Sequence, residues 1–100
     1  MKVTVKPFHF ISDALGRQHE IEVRLNNGAT IYDLLSYLRK SYNLPDEILI
    51  GRSVLRLFDG EELRDMMVLI NGRNIRSLDG METKLEDEAV IALFPPGAGG

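Results

Sequence analysis

The chain has 100 residues, 44% hydrophobic and 27% charged, with a formal net charge of −3 and no cysteine. That length suits one domain with its own core, and the lack of cysteine removes disulfides, thiolate catalysis and Cys-based metal sites together. An acidic balance gives no support to nucleic-acid binding, which wants a basic face, and no apolar stretch approaches the roughly 20 residues of a membrane span.

The N-terminus shows no signal-peptide pattern, so a cytoplasmic location is expected. Lys2 to Ile11 alternates, with Val3 and Val5 and then Phe8 or Phe10 as the apolar positions, and predicts a half-buried strand. Pro7 cannot donate to a ladder, which points to an edge position or a bulge. Ser12 to Arg17, with Asp13 and Gly16, reads as a turn. His19 to Leu25 alternates again through Ile21, Val23 and Leu25, and completes an N-terminal hairpin closed by Asn26-Asn27-Gly28.

Thr30 opens the clearest helix, with Asp33 three residues on in a capping-box arrangement. Ile31, Leu34, Leu35, Leu38 and Tyr42 form an apolar stripe, and Asp33, Ser36, Arg39 and Lys40 face the other way. Pro45 suggests a short helix through Glu47, Ile48 and Leu49, ended by Gly51. Ser53 to Phe58 reads as strand or helix, and periodicity alone leaves both open. Asp59-Gly60 marks a turn, Met66 to Ile70 a strand, Asn71-Gly72 a tight turn and Asn74 to Arg76 a short return strand. Leu78 to Glu88 is a polar loop anchored by Leu85.

Val90 to Phe94 is the last strand. Its unbroken apolar run suggests burial on both faces, in a central position parallel to the first strand. The order of elements gives an α+β roll: a mixed sheet with one main helix packed across it. Residues 1–94 are expected to form the single domain and residues 95–100 an extended tail. No internal repeat, linker or low-complexity segment interrupts the chain.

Pro95-Pro96-Gly97-Ala98-Gly99-Gly100 carries little side chain. The prolines favour extended geometry, and six extended residues reach about 20 Å. Such an arm suits a narrow channel and offers the Gly100 carboxylate to a nucleophile. Elsewhere the chemistry is thin. His9 and His19 stand apart from any ligand-spaced cluster, so no metal site is expected. No Ser-His-Asp arrangement or phosphate loop is visible. The C-terminal carboxylate is the distinctive reactive candidate.

The segment Val90 to Gly100, with Leu85 and Asp87 before it, resembles the ending of the MoaD/ThiS sulfur-carrier proteins, and Leu69-Ile70-Asn71-Gly72-Arg73-Asn74-Ile75 resembles their strand–Asn-Gly–strand hairpin. The chain departs from them in the turn before the last strand, at Glu88-Ala89-Val90, and in extra length around Ile48 to Asp65. The resemblance implies a ubiquitin-like β-grasp fold. It also implies that Gly100 is adenylated by an ATP-using E1-like enzyme and converted to a thiocarboxylate, with no cofactor bound by the chain itself.

Within that family the small subunit of molybdopterin synthase is the nearest likeness. It implies a large-subunit partner in a hetero-oligomer and a chain that is not a catalyst alone but the sulfur-donating half of a sulfurtransferase. Pro95, Pro96, Gly97, Ala98 and Gly99 would thread the channel, and Phe94 would anchor the partner. Sulfur supply for thiamine, cysteine or tRNA thiolation, attachment to lysines as a modifier, and a plain interaction module are the alternatives. The acidic residues Glu82, Glu86, Asp87 and Glu88 are expected to face a more basic partner.

Overall fold

The computed structural model describes residues 1–96. Strand β1 (Lys2–Pro7) turns Val3, Val5 and Pro7 inward, and strand β2 (Ile21–Arg24) returns antiparallel to it, with Val3 opposite Val23 and Val5 opposite Ile21. Between them lies a short helix, α1 (Phe10–Ala14), where the sequence suggested strand and turn; it buries Ile11 beneath the sheet's end. Pro7 is neither on an edge strand nor in a bulge, because β1 is interior to the sheet. It is tolerated because the pairing with β2 stops at Val5. The Thr4 and Phe8 amides donate to the Ala89 and Leu93 carbonyls, 2.9 Å each, so alternation turns the Pro7 nitrogen to the side where β2 has ended.

Helix α2 (Ile31–Ser41) begins with the expected reciprocal cap. The Asp33 amide donates to Thr30 Oγ1 at 3.3 Å, and the Thr30 amide donates to Asp33 Oδ2 at 2.9 Å. Ile31, Leu34, Leu35 and Leu38 are fully buried against the sheet, whereas Tyr42 only caps the helix, half-buried and tilted against Tyr37.

The segment from Pro45 is not helical. It forms the hairpin β3 (Glu47–Ile50) and β4 (Ser53–Arg56), with Ile48 opposite Leu55 and a two-residue loop at Gly51-Arg52. Gly51, at φ +60°, occupies the first central position of a type II′ turn, where a side chain would be strained. The glycine that looked like a helix stop is a hairpin turn, and the β-branched Ile48, Ile50 and Val54 suit the strands. A second small hairpin, β5 (Phe58–Asp59) and β6 (Glu62–Leu63), closes at Gly60-Glu61.

Strand β7 (Met67–Ile70) turns at Asn71-Gly72 into β8 (Arg73–Asn74), and a 3-10 turn, Ile75–Ser77, replaces the rest of the expected return strand. The Asn74 side chain caps that turn by accepting from the Arg76 amide at 2.9 Å. The polar loop holds a second 3-10 turn, Gly80–Glu82, and is stitched to the start of α2. The Ile31 amide donates to the Thr83 carbonyl at 3.0 Å, and the amide of buried Leu85 to that of Ala29 at 2.9 Å.

Strand β9 (Val90–Phe94) completes a five-stranded mixed sheet ordered β2-β1-β9-β7-β8, parallel to β1 and antiparallel to β7. The central parallel placement is as read from the sequence; burial on both faces is not. Ile91 and Leu93 are fully buried under α2, but Val90 is exposed and Ala92 and Phe94 are half-buried on the opposite, open face.

The solvent side of α2 is also less free than its sequence suggests. The Arg39 guanidinium lies 4.3 Å over the Phe58 ring, donates to Asp46 at 2.5 Å and to the Gly60 carbonyl at 3.1 Å, and joins the helix to both small hairpins. The Tyr32 hydroxyl donates to Glu61 at 2.6 Å. That bond, and the charge of Glu61, hold the Tyr32 phenol above its ordinary 10.0. Among the described residues no helix is long and apolar enough to cross a membrane.

Two outcomes follow. Leu34→Ala should cost about 2–5 kcal/mol of unfolding free energy and Thr30→Ala about 1 kcal/mol, both read by urea denaturation. A phenol raised by its partner stabilises the fold below pH 10.0 and loses that contribution as pH climbs through the raised value. The phenolate absorbance lost in Tyr32→Phe should therefore titrate above pH 10.0 in the parent protein, and move back toward it in Glu61→Gln.

Candidate functional site

The C-terminal strand leaves the sheet between two neighbours. At its last residues Leu93 is registered with Pro7 of β1 and Phe94 with Met67 of β7, and the Phe8 amide donates to the Leu93 carbonyl. The strand is therefore held on both edges up to the residue that precedes the tail. Phe94 stacks on Phe8 with ring centroids 4.4 Å apart and planes within 6° of parallel. Aromatic pairs at this separation add to what their buried area supplies. Phe8 keeps 37% of its surface exposed. The sequence marked Phe94 but treated Phe8 as an ordinary strand residue, and nothing in its spacing predicted the stack.

The tail is less free at its root than expected. Pro95 is buried and Pro96 is the first exposed residue beyond the sheet. Gly97, Ala98, Gly99 and Gly100 lie outside the described residues. Five residues beyond Pro95 reach about 17 Å when extended.

The open face beside this root is divided in composition. Registered neighbours share a face, so Val90, Ala92 and Phe94 of β9 lie alongside Leu69 and Met67 of β7 and form an apolar half. On the other side Thr4 and Lys6 of β1 and Glu22 and Arg24 of β2 form a polar half, braced by a Lys6–Glu20 ion pair at 3.7 Å. An apolar strip next to the point where a tail departs is the kind of surface that a partner covers. The sequence missed Met67 and Leu69, because Met66 to Ile70 is apolar throughout and its alternation cannot be read.

The acidic cluster lies elsewhere. Glu86, Asp87 and Glu88 precede β9, at the end opposite to the tail, about 13 Å away along the strand. Two of them have structural duties: Asp87 accepts from the Lys2 amide at 2.8 Å, and Glu88 pairs with the Lys2 ammonium at 3.7 Å. These carboxylates secure the start of β1 and do not border the tail.

Near the tail root stands His9, with φ 53° and ψ −127°, a conformation that only glycine adopts at low cost. It turns the chain from β1 into α1 directly after Phe8. Among the described residues no group of three or more His, Cys, Asp or Glu side chains could hold a metal ion.

The stack is testable through stability. A double-mutant cycle on Phe8→Ala and Phe94→Ala should give a coupling of about 0.5–1.5 kcal/mol in denaturant unfolding, with both single variants folded because neither ring belongs to the buried core.

The sequence profile described as the ThiS family matches residues 8–100. Small archaeal modifier protein 3 of Haloferax volcanii is 36% identical over 100 residues, covering the whole of both chains. The crystal structure of SAMP1 from Haloferax volcanii has a TM-score of 0.75 at 25% identity and covers 100% of each chain. A putative molybdopterin converting factor subunit 1 from Pyrococcus furiosus has a TM-score of 0.70 at 28% identity, over 96% of this chain and 98% of its own. The mixed sheet with a parallel central strand, the single helix across it and these matches show that the chain belongs to the ThiS family and has its ubiquitin-like, β-grasp sulfur-carrier fold.

Proposed function

We propose that the chain is a carrier whose Gly100 carboxyl is activated by adenylation and loaded with sulfur. The observation that supports this best is the continuity of β9, clamped between β1 and β7 beside an apolar open face, into Pro95 and Pro96, after which the sequence offers only Gly97-Ala98-Gly99-Gly100. A free α-carboxyl has a pKa near 3.5, so at neutral pH it is an anion that resists nucleophiles. An E1-like enzyme removes that resistance: the carboxylate oxygen attacks the α-phosphorus of ATP and pyrophosphate leaves. Hydrosulfide released from a sulfur donor then attacks the acyl carbon, AMP departs, a proton is lost, and Gly100 ends as a thiocarboxylate.

Phe94, Met67 and the strip between them are the docking surface in this reading, for the activating enzyme and later for the acceptor. Pro95 and Pro96 direct the tail, and Gly97, Ala98 and Gly99 admit it to a channel sized for backbone. The chain binds no cofactor of its own. The likeness to a putative molybdopterin converting factor subunit 1 supports sulfur donation within molybdopterin synthase, with this chain as the small subunit and the large subunit holding the cyclic pyranopterin monophosphate substrate. A second reading is favoured by the full-length likeness to a small archaeal modifier protein: the activated Gly100 is joined to lysine amines of other proteins. Both need the same adenylate and differ in the attacking atom, sulfur or nitrogen.

Intact-mass analysis of the protein from its native host separates them. Replacement of one oxygen by sulfur at the C-terminus supports the first, and amide-linked conjugates through Gly100 support the second. One residue added after Gly100 would displace the carboxylate by about 3.5 Å, and about 1 Å of misplacement already costs roughly a hundredfold where geometry is demanding. That variant and Gly99→Val should melt like the parent yet lose ATP–pyrophosphate exchange with the activating enzyme. Exchange at the normal rate in the extended variant would remove Gly100 from the reaction. Phe94→Ala should raise the Kd for the partner at least tenfold, as interface aromatics of about 2 kcal/mol do, while remaining folded.

A further inference from the structure

A cleft of about 360 Å³ opens on the helix side of the sheet, between the first turn of α2, the β5–β6 hairpin and the two 3-10 turns. Its floor is apolar: Leu63, Ile75 and Met81. Its walls are Tyr32 and the adjacent carboxylates Glu61 and Glu62. None of these residues borders the tail root or the open sheet face, so the cleft has no part in the function proposed above.

The charges in the lining are unevenly committed. Arg76, the cation there, donates from its guanidinium to the Arg64 carbonyl at 2.7 Å and is held by that bond. Glu61 accepts from the Tyr32 hydroxyl at 2.6 Å. Glu62 enters none of the ion pairs found among the described residues. Glu61 is absent from those ion pairs as well, so the lip of an apolar cleft presents two carboxylates, neither paired with a cation among the described residues. The volume falls at the low end of the roughly 300–1,000 Å³ usual for ligand sites, enough for one large apolar side chain and a short length of backbone.

We infer that this cleft is a second docking site, for a peptide segment of a partner protein that carries a bulky aliphatic side chain followed by lysine or arginine. The aliphatic group sits on Leu63, Ile75 and Met81, and the cation meets Glu62 and Glu61. The Tyr32–Glu61 bond fixes one wall in advance, which lowers the ordering cost of binding. The site lies away from the open face, so one partner can hold the chain here while another takes the tail.

The full-length protein, labelled with nitrogen-15, tests this by amide-shift titration with three capped tripeptides: Ac-Leu-Lys-Arg-amide, Ac-Ser-Lys-Arg-amide and Ac-Leu-Glu-Glu-amide. The first should shift the amides of Tyr32, Glu61 to Leu63, Arg76 and Met81. It should bind at least about fivefold more tightly than the serine peptide, which lacks the buried aliphatic group, and than the acidic one. Glu62→Lys, an exposed change that leaves the core intact, should weaken it about threefold or more. Shifts that map to the open face, equal binding of the three peptides, or affinity unchanged in a folded Glu62→Lys protein would each overturn the assignment.

Discussion

The structure depends on the parallel pairing of its first and last strands. Thr4, Val5, Lys6 and Pro7 register with Val90, Ile91, Ala92 and Leu93, so nearly the whole chain is the crossover that a parallel pair requires. Closing a loop of that length costs on the order of 4 kcal/mol of chain entropy. Ile91 and Leu93, both fully buried, together recover about 3–6 kcal/mol of transfer free energy, enough to offset it. A C-terminal strand on an edge would have one neighbour. Here it has two, and the tail leaves from one of the best-held positions in the sheet.

The two faces of that sheet do different work. One is sealed by Ile31, Leu34, Leu35 and Leu38 of the helix, which share one buried cluster with the inward residues of β1, β2, β7 and β9. The other has no covering layer among the described residues, and its apolar strand positions lie on the β9 and β7 half, next to the tail root. A uniformly polar open face would cost nothing in isolation, whereas exposed Val90 and half-exposed Phe94 and Met67 gain only when something covers them. Placing the apolar half beside the tail joins docking and delivery in one small region, and the Phe8–Phe94 stack stiffens the boundary between them.

The helix's outward side shows how a surface charge becomes structural. Arg39 reads as a solvated residue opposite an apolar stripe, yet its side chain is 23% exposed and binds the ring of Phe58 and the carbonyl of Gly60 in one hairpin and the carboxylate of Asp46 just before the other. Besides the core contacts of Leu44, Leu55, Leu57 and Phe58, this side chain and the Tyr32–Glu61 bond tie residues 44–64 to the helix's outward side. The same arrangement leaves a cleft between hairpin and helix, lined on its floor by Leu63 and Met81. Extra chain length inserted between helix and sheet has thus produced surface with its own chemistry.

Local patterns alone determined much of this protein. The Thr30–Asp33 cap, the i, i+3, i+4 stripe of α2, the alternation of β1 and β2, and the Asn71-Gly72 turn are each decided by residues a few positions apart, where sterics and hydrogen bonding act without help from the rest of the chain. The reach and slimness of the tail are likewise written in its composition. Tertiary structure decided what depends on distant partners. Gly51 ends either a helix or a strand, and only packing of Ile48 and Leu55 onto the core selects the hairpin. The apolar run of β9 fits burial on two faces, but one helix can cover only one. Arg39, Phe8 and Leu63 gained their roles from neighbours far away in sequence, and periodicity carries no record of such neighbours.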